Sequence, residues 1–162
     1  MNDVTDSSDT GVQIRQMAEA DLREVLSLER QTFSDPWPQS AFEEQLSGGG
    51  WGALVALAQR QIIGYACYLI VDCEAHITNL AVHPDFRRKS VASRLLENIL
   101  QLVQQRGCEY LLLEVRPGNE GARAFYERHG FTTLYRRRQY YRSPVEDALV
   151  LVRYLSPGQD AT

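Results

Sequence analysis

Positive charge is in short supply in this chain. Seventeen Lys and Arg face 21 Asp and Glu over 162 residues, for a net charge of −4, which argues against a protein built as a whole to coat nucleic acid. Lysine is scarcer still, with Lys89 the only one. Cysteine is confined to Cys67, Cys73 and Cys108, which form no CxxC and share no metal-like spacing with the three histidines. That argues against a structural zinc site and against a disulfide framework. Their neighbours are apolar strand residues, so buried, reduced thiols and a cytoplasmic setting are expected. No apolar run approaches the ~20 residues of a membrane-spanning helix, and no secretory signal pattern opens the chain. No metal, no membrane and no direct nucleic-acid contact are expected.

The remaining composition, 44% hydrophobic and 23% charged, is that of an ordinary globular protein. Residues 1–11 are polar and acidic and read as a disordered tail, as do residues 156–162. Residues 12–155 contain no linker and no repeat, so one domain is expected there. Residues 12–17 predict a strand, 19–31 a helix with Leu22, Val25, Leu26 and Leu28 on its apolar stripe, and 39–46 a second helix after the proline-fixed FSDPWP turn. Residues 51–58, 62–71 and 75–82 predict three strands with short connections, hence an antiparallel meander. Over residues 91–105, Val91, Leu95, Ile99 and Leu102 recur at helical spacing alongside Leu96, Leu100 and Val103; that face is broad enough to pack on a sheet. Gly107 supplies the stop. Residues 109–115 predict a strand, 119–128 a helix capped by Asn119 and stopped by Gly130, and 131–141 and 147–155 two more strands. The fold class is α/β: a mixed, mostly antiparallel central sheet of about seven strands with helices on both faces.

The chemistry concentrates in VHPDFRRKSVASRLL, residues 82–96. An apolar strand ends at Val82, a basic loop with Arg87, Arg88 and Lys89 follows, and an amphipathic helix begins. Unpaired amides at a helix N-terminus, the helix dipole and nearby cations together favour a phosphate. On the strand LLLEVR, Tyr110, Leu112 and Glu114 alternate with Leu111, Leu113 and Val115, placing a carboxylate at the end of an apolar strand. Glu114 reads either as the ion-pair partner of Arg116 or another arginine, or as a general base acting directly or through water. Tyr126 reads either as a core tyrosine with a backbone-satisfied hydroxyl, or as a proton donor to a leaving thiolate. Asn119 is first a helix cap. His83 reads as a surface-turn residue, and spacing identifies no partner for His76 or His129. The Arg136, Arg137, Arg138 run, with Tyr140 and Tyr141 behind it, reads as a solvated strand end.

Taken together, DPWP, NLAVHPDFRR, LLLEVRPGN, ARAFYERHGF and RRRQYY followed by EDALVL resemble the GNAT superfamily of acetyl-CoA-dependent N-acetyltransferases over residues 12–155, most of all the RimI type, the ribosomal-protein-alanine N-acetyltransferases. The resemblance implies a GNAT-like fold and acetyl-CoA as co-substrate. It implies a protein N-terminus, that of a ribosomal protein, as partner. By position, Leu80, Ala81 and Val82 would present backbone groups to the acetyl and pantetheine part. Arg87, Arg88, Lys89, Ser90, Val91 and Ala92 would form the pyrophosphate loop, and Asn119 would contact the cofactor. Glu114 would be the general base and Tyr126 the general acid, with residues 35–38, Tyr140 and Tyr141 near the peptide end. The alternatives are a protein-lysine or small-amine acetyltransferase, or a non-catalytic acyl-CoA-binding or partner-binding module. One departure stands out: RRKSVA carries Ser90 where the family pattern has its first glycine. If that residue takes positive φ, serine costs roughly 1–2 kcal/mol; if it is helical, serine is tolerated and its hydroxyl could meet a phosphate.

Overall fold

The alternating and helical patterns condense into one seven-stranded sheet in the order β1-β2-β3-β4-β5-β7-β6. A computed structural model describes residues 11–155; apart from Gly11, the two expected tails lie outside the described residues. The elements are β1 (Val12–Gln16), α1 (Leu22–Thr32, preceded by a short 3-10 turn Glu19–Asp21), α2 (Gln39–Gln45), β2 (Trp51–Ala58), β3 (Gln61–Val71), β4 (Glu74–Val82), α3 (Val91–Gln105), β5 (Tyr110–Val115), α4 (Glu120–Arg128), β6 (Thr132–Arg142) and β7 (Val145–Tyr154). All pairings are antiparallel except β4 with β5. Among the described residues no helix is long and apolar enough to cross a membrane.

Each face of the sheet buries its own core. On one face, α3 inserts Val91, Leu95, Leu96, Ile99, Leu100 and Val103, and α4 adds Tyr126, over Ile77, Leu111, Leu113 and Leu151. Leu102, expected on that stripe, is only half-buried at its margin. On the other face, α1 and α2 bring Leu22, Val25, Leu26, Leu28 and Phe42 over Val55, Tyr65, Cys67 and Ala81. The glycine stops at the ends of α3 and α4 are real: Gly107 and Gly130 take φ of +74° and +85°, and the next amides, of Cys108 and Phe131, return to the carbonyls of Val103 and Tyr126 at 3.0 Å each.

The cysteine expectation needs one correction. Cys67 and Cys108 are buried, but Cys73 is exposed, because it lies in the tight turn between β3 and β4 rather than within a strand.

Two irregularities interrupt the sheet. β4 carries a bulge: Cys67 pairs with Asn79 and Tyr68 with Ile77, leaving Thr78 as the extra residue. The bulge turns Thr78 and Asn79 toward the α1/α2 face, where they bond Gln45 of α2 and Glu29 of α1. The second irregularity is the parallel pairing of β4 and β5, which lasts only from Glu74↔Tyr110 to His76↔Leu112. Beyond His76, β4 stays paired to β3 as far as Val82, and β5 stays paired to β7 as far as Val115. The two central strands therefore part, and a slot opens in the middle of the sheet.

Candidate active site

The slot is lined on one side by backbone that has lost its ladder partner. Leu80, Ala81 and Val82 keep their bonds to β3 but make none to β5. Ala81 and Val82 are buried and Leu80 packs against the core, so what these residues offer to the slot is main chain.

At the end of β4 the chain turns through a 3-10 segment, Pro84–Phe86, capped by His83, whose ring nitrogen accepts from the Asp85 amide at 3.1 Å. Arg87, Arg88, Lys89 and Ser90 follow, all exposed. Arg88 and Ser90 both take φ of +63°, so the first arm of the sequence expectation applies: Ser90 sits in the left-handed region where glycine is cheapest. Ser90 is the N-cap of α3 but makes no side-chain capping bond. The first-turn amides of α3 thus face the loop with no side chain closing them off, which leaves donors for an anion. Val91 buries its side chain in the core, so only its main chain can serve a ligand; Ala92 is half-buried. Two of the three loop cations are partly engaged at home. Arg87 Nε donates to the Val82 carbonyl at 3.2 Å, and the Lys89 ammonium lies 5.4 Å from the centre of the Phe86 ring. Asn119 caps α4 as predicted, its Oδ1 accepting from the Ala122 amide at 3.2 Å. An acyl-CoA fits this donor set: open amides and cations for phosphates at the α3 end, and unpaired strand backbone for the amide-bearing arm.

Glu114 lies on the opposite strand of the slot, near where pairing ends, on the face covered by α1 and α2. Its side chain is only 12% exposed. Of the two arginine readings, the pair is with another arginine, Arg137, and not with Arg116; Arg116 meets Glu146 at 3.2 Å and lies 4.0 Å over the Tyr141 ring. Glu114 is held by His76 Nε2 at 2.6 Å and, more loosely, by Arg137 at 3.5 Å. The His76 contact joins residues 38 apart in sequence, which no local spacing could reveal. Arg137 also stacks 4.7 Å over Tyr140, so the arginine run on β6 is not merely solvated. Burial and the Glu114 charge both push the Tyr140 hydroxyl pKa up. Tyr141 is raised to about 12, first by burial, then by Tyr140, with Arg116 opposing and Glu114 adding.

Tyr126 belongs to the core of the other face. Its ring packs edge-on to Phe125 and Phe131, at 5.0 and 5.4 Å between centroids. Burial raises its pKa, and the proximity of Tyr141 raises it further. No hydrogen bond joins Tyr126 to Glu114. The third histidine, His129, has a partner too: its Nε2 is 3.0 Å from Ser93 Oγ, in the first turn of α3.

The family model for the acetyltransferase (GNAT) family matches residues 22–131. The [ribosomal protein bS18]-alanine N-acetyltransferase of Salmonella typhimurium is 32% identical over 142 residues, covering 86% of this chain and 95% of that protein. The crystal structure of the ribosomal-protein-S18-alanine N-acetyltransferase from Escherichia coli superposes with a TM-score of 0.84 at 28% identity, covering 93% of this chain and 98% of that one. Arabidopsis thaliana NAA60, solved in complex with acetyl-CoA, shares the fold at a TM-score of 0.81 and 17% identity over 89% of this chain and 98% of its own. With the matched segment spanning the slot, the basic loop and α4 together, this chain belongs to the GNAT family of acetyltransferases.

Proposed function

We propose that the chain moves the acetyl group of acetyl-CoA to the α-amino group of a protein N-terminus, with the N-terminal alanine of a small-subunit ribosomal protein as acceptor. The observation that carries this reading is the His76–Glu114 pair at the opening of β4 from β5. The names of the Salmonella and Escherichia relatives point to the same acceptor.

Acetyl-CoA supplies an activated thioester, and this chain's residues do the rest. The first-turn amides of α3, with Arg87, Arg88 and Lys89, hold phosphate charge, and the free edge of β4 orients the arm. Glu114 accepts a proton from the acceptor ammonium, directly or through water, while His76 holds the carboxylate. Backbone N–H groups near Ala81 or Val82 face the oxygen on which negative charge develops. Tyr126, kept protonated by burial, donates to the departing sulfur. Because its pKa is raised it is a weak acid, so its main service is a hydrogen bond that strengthens as charge builds on sulfur.

An α-amine suits this machinery better than lysine. Reference pKa values of about 7.7–8.0 and 10.4 differ by about 2.5 units, or roughly 3.4 kcal/mol of deprotonation at neutral pH. The test is thiol release from acetyl-CoA with a peptide bearing a free N-terminal alanine, beside the same peptide N-terminally blocked but carrying lysine. Turnover only with the free N-terminus supports the proposal; turnover only with lysine replaces it.

A further inference from the structure

One buried carboxylate has no role in the chemistry above. Glu29, on α1, is 1% exposed, the most deeply buried charged side chain among the described residues. It forms no ion pair there. Its partners are three neutral donors from three different segments. The Tyr65 hydroxyl on β3 donates to Oε2, Asn79 Nδ2 on β4 donates to the same oxygen at 2.9 Å, and the Trp37 amide donates to Oε1 at 3.1 Å.

Burying a carboxylate without a cation is expensive, and for packing alone an apolar side chain would serve as well or better. The identity of the donors indicates what the charge does. Asn79 directly follows the β4 bulge and directly precedes Leu80, Ala81 and Val82, whose edge opens onto the slot. Trp37 lies between Pro36 and Pro38. Proline has no N–H, so within Pro36–Pro38 the Trp37 amide is the one main-chain donor that can tie the end of the turn down. Apolar rings enclose the tether: Trp37 lies 5.2 Å from Phe42, and Phe42 meets Tyr65 edge-on at 5.7 Å.

We infer that Glu29 is a positioning residue for the acceptor. It fastens the turn at residues 35–38 to β4 where the strand edge becomes free, and so fixes how far an incoming N-terminus stands from the thioester. This rests on the reading above, in which that turn borders the acceptor end.

Glu29→Gln tests it with little change of shape. An amide offers one accepting oxygen and one donating nitrogen, so it cannot satisfy three donors, and the Trp37 bond is the one at the exposed end of the tether. The apparent KM for the alanine peptide should rise at least tenfold while the KM for acetyl-CoA stays within twofold. Hydrogen exchange at the Trp37 amide, measured with neither peptide nor cofactor, should lose at least tenfold protection. Tyr65→Phe keeps the Trp37 and Asn79 bonds; it should lower the melting temperature yet leave Trp37 protection in place and the acceptor KM within threefold. A Glu29→Gln enzyme with a protected Trp37 amide and wild-type acceptor KM overturns the inference. So does an equal rise in both KM values with a lower melting temperature, which would mark Glu29 as structural only. If the alanine peptide is not a substrate, the proposed acceptor fails, while Trp37 exchange still decides whether the tether exists.

Discussion

At the scale of the residue, Glu114 and His76 form the pair on which the proposed chemistry depends. Removing the carboxylate's basicity while keeping its shape, in Glu114→Gln, should lower kcat by about 10²–10⁴-fold and leave acetyl-CoA binding by calorimetry unchanged, because the proposed phosphate loop lies on other elements. Ser90 allows a second prediction. Its φ of +63° carries a strain of roughly 1–2 kcal/mol, and glycine would relieve it. Glycine also loses more backbone freedom on folding, roughly 0.5–1 kcal/mol. Ser90→Gly should therefore raise the unfolding free energy by up to about 1.5 kcal/mol in urea titration. A serine hydroxyl that contacts phosphate would show as weaker acetyl-CoA binding in the same variant.

His129 gives the pH dependence at this scale. Burial is the chief cause of its lowered pKa, with Glu97 opposing and Arg153 and Arg128 adding. The unfolded chain, titrating near 6.5, therefore takes up the proton first as pH falls. Where the unfolded state binds more protons, stability rises with pH. This contribution is complete above about pH 6.5 and is lost as pH drops through the folded value. Denaturant midpoints measured from pH 7.5 downward should fall over that window, and His129→Gln should flatten the slope.

At the scale of the element, the parting of β4 from β5 is the decisive feature, and the helices that hold it open are anchored by their apolar stripes. Ile99 is fully buried in the middle of α3. Ile99→Ala should cost about 2–5 kcal/mol, from lost burial plus the cavity left behind, seen as a lower melting temperature. Gly52 on β2 tests close packing from the other direction. A Cβ there would lie 2.2 Å from the Tyr68 ring, so Gly52→Ala must displace Tyr68 from the core, at about 1–3 kcal/mol. The edge strand β6 is exposed along nearly its whole length. Its two register shifts and its arginines blunt it against edge-to-edge pairing, and one of those arginines, Arg137, also reaches Glu114.

At the scale of the whole molecule, one sheet carries a separate core on each of its faces, and the proposed site draws on both. Glu114 and His76 come from the α1/α2 side, Tyr126 from the α3/α4 side, and the loop and backbone donors from the end of β4. Because acetyl-CoA is expected to bind only the assembled arrangement, it should stabilise the fold. At a hundredfold excess over Kd the gain is about 2.7 kcal/mol, read as an upward shift in melting temperature that added salt diminishes.

Local periodicity and local caps account for every feature that could be read from the residues in order. Val91, Leu95, Leu96 and Ile99 mark the buried stripe of α3, Gly107 and Gly130 stopped α3 and α4, Asn119 capped the start of α4, and the alternation in LLLEVR put Glu114 on the face away from Leu113. The basic loop before α3 was legible for the same reason: strand, cations and helix start are contiguous. The remaining features arise from contacts that form only on folding. Glu114 exchanges the nearby Arg116 for His76 and Arg137, and Glu29 gathers Trp37, Tyr65 and Asn79, because side chains far apart in sequence meet only once the strands are in register. The turn that exposes Cys73, the bulge at Thr78 and the early end of the β4–β5 ladder are properties of pairing between strands. A strand's own residues specify which face is apolar, but where it leaves its neighbour depends on the twist and packing of both.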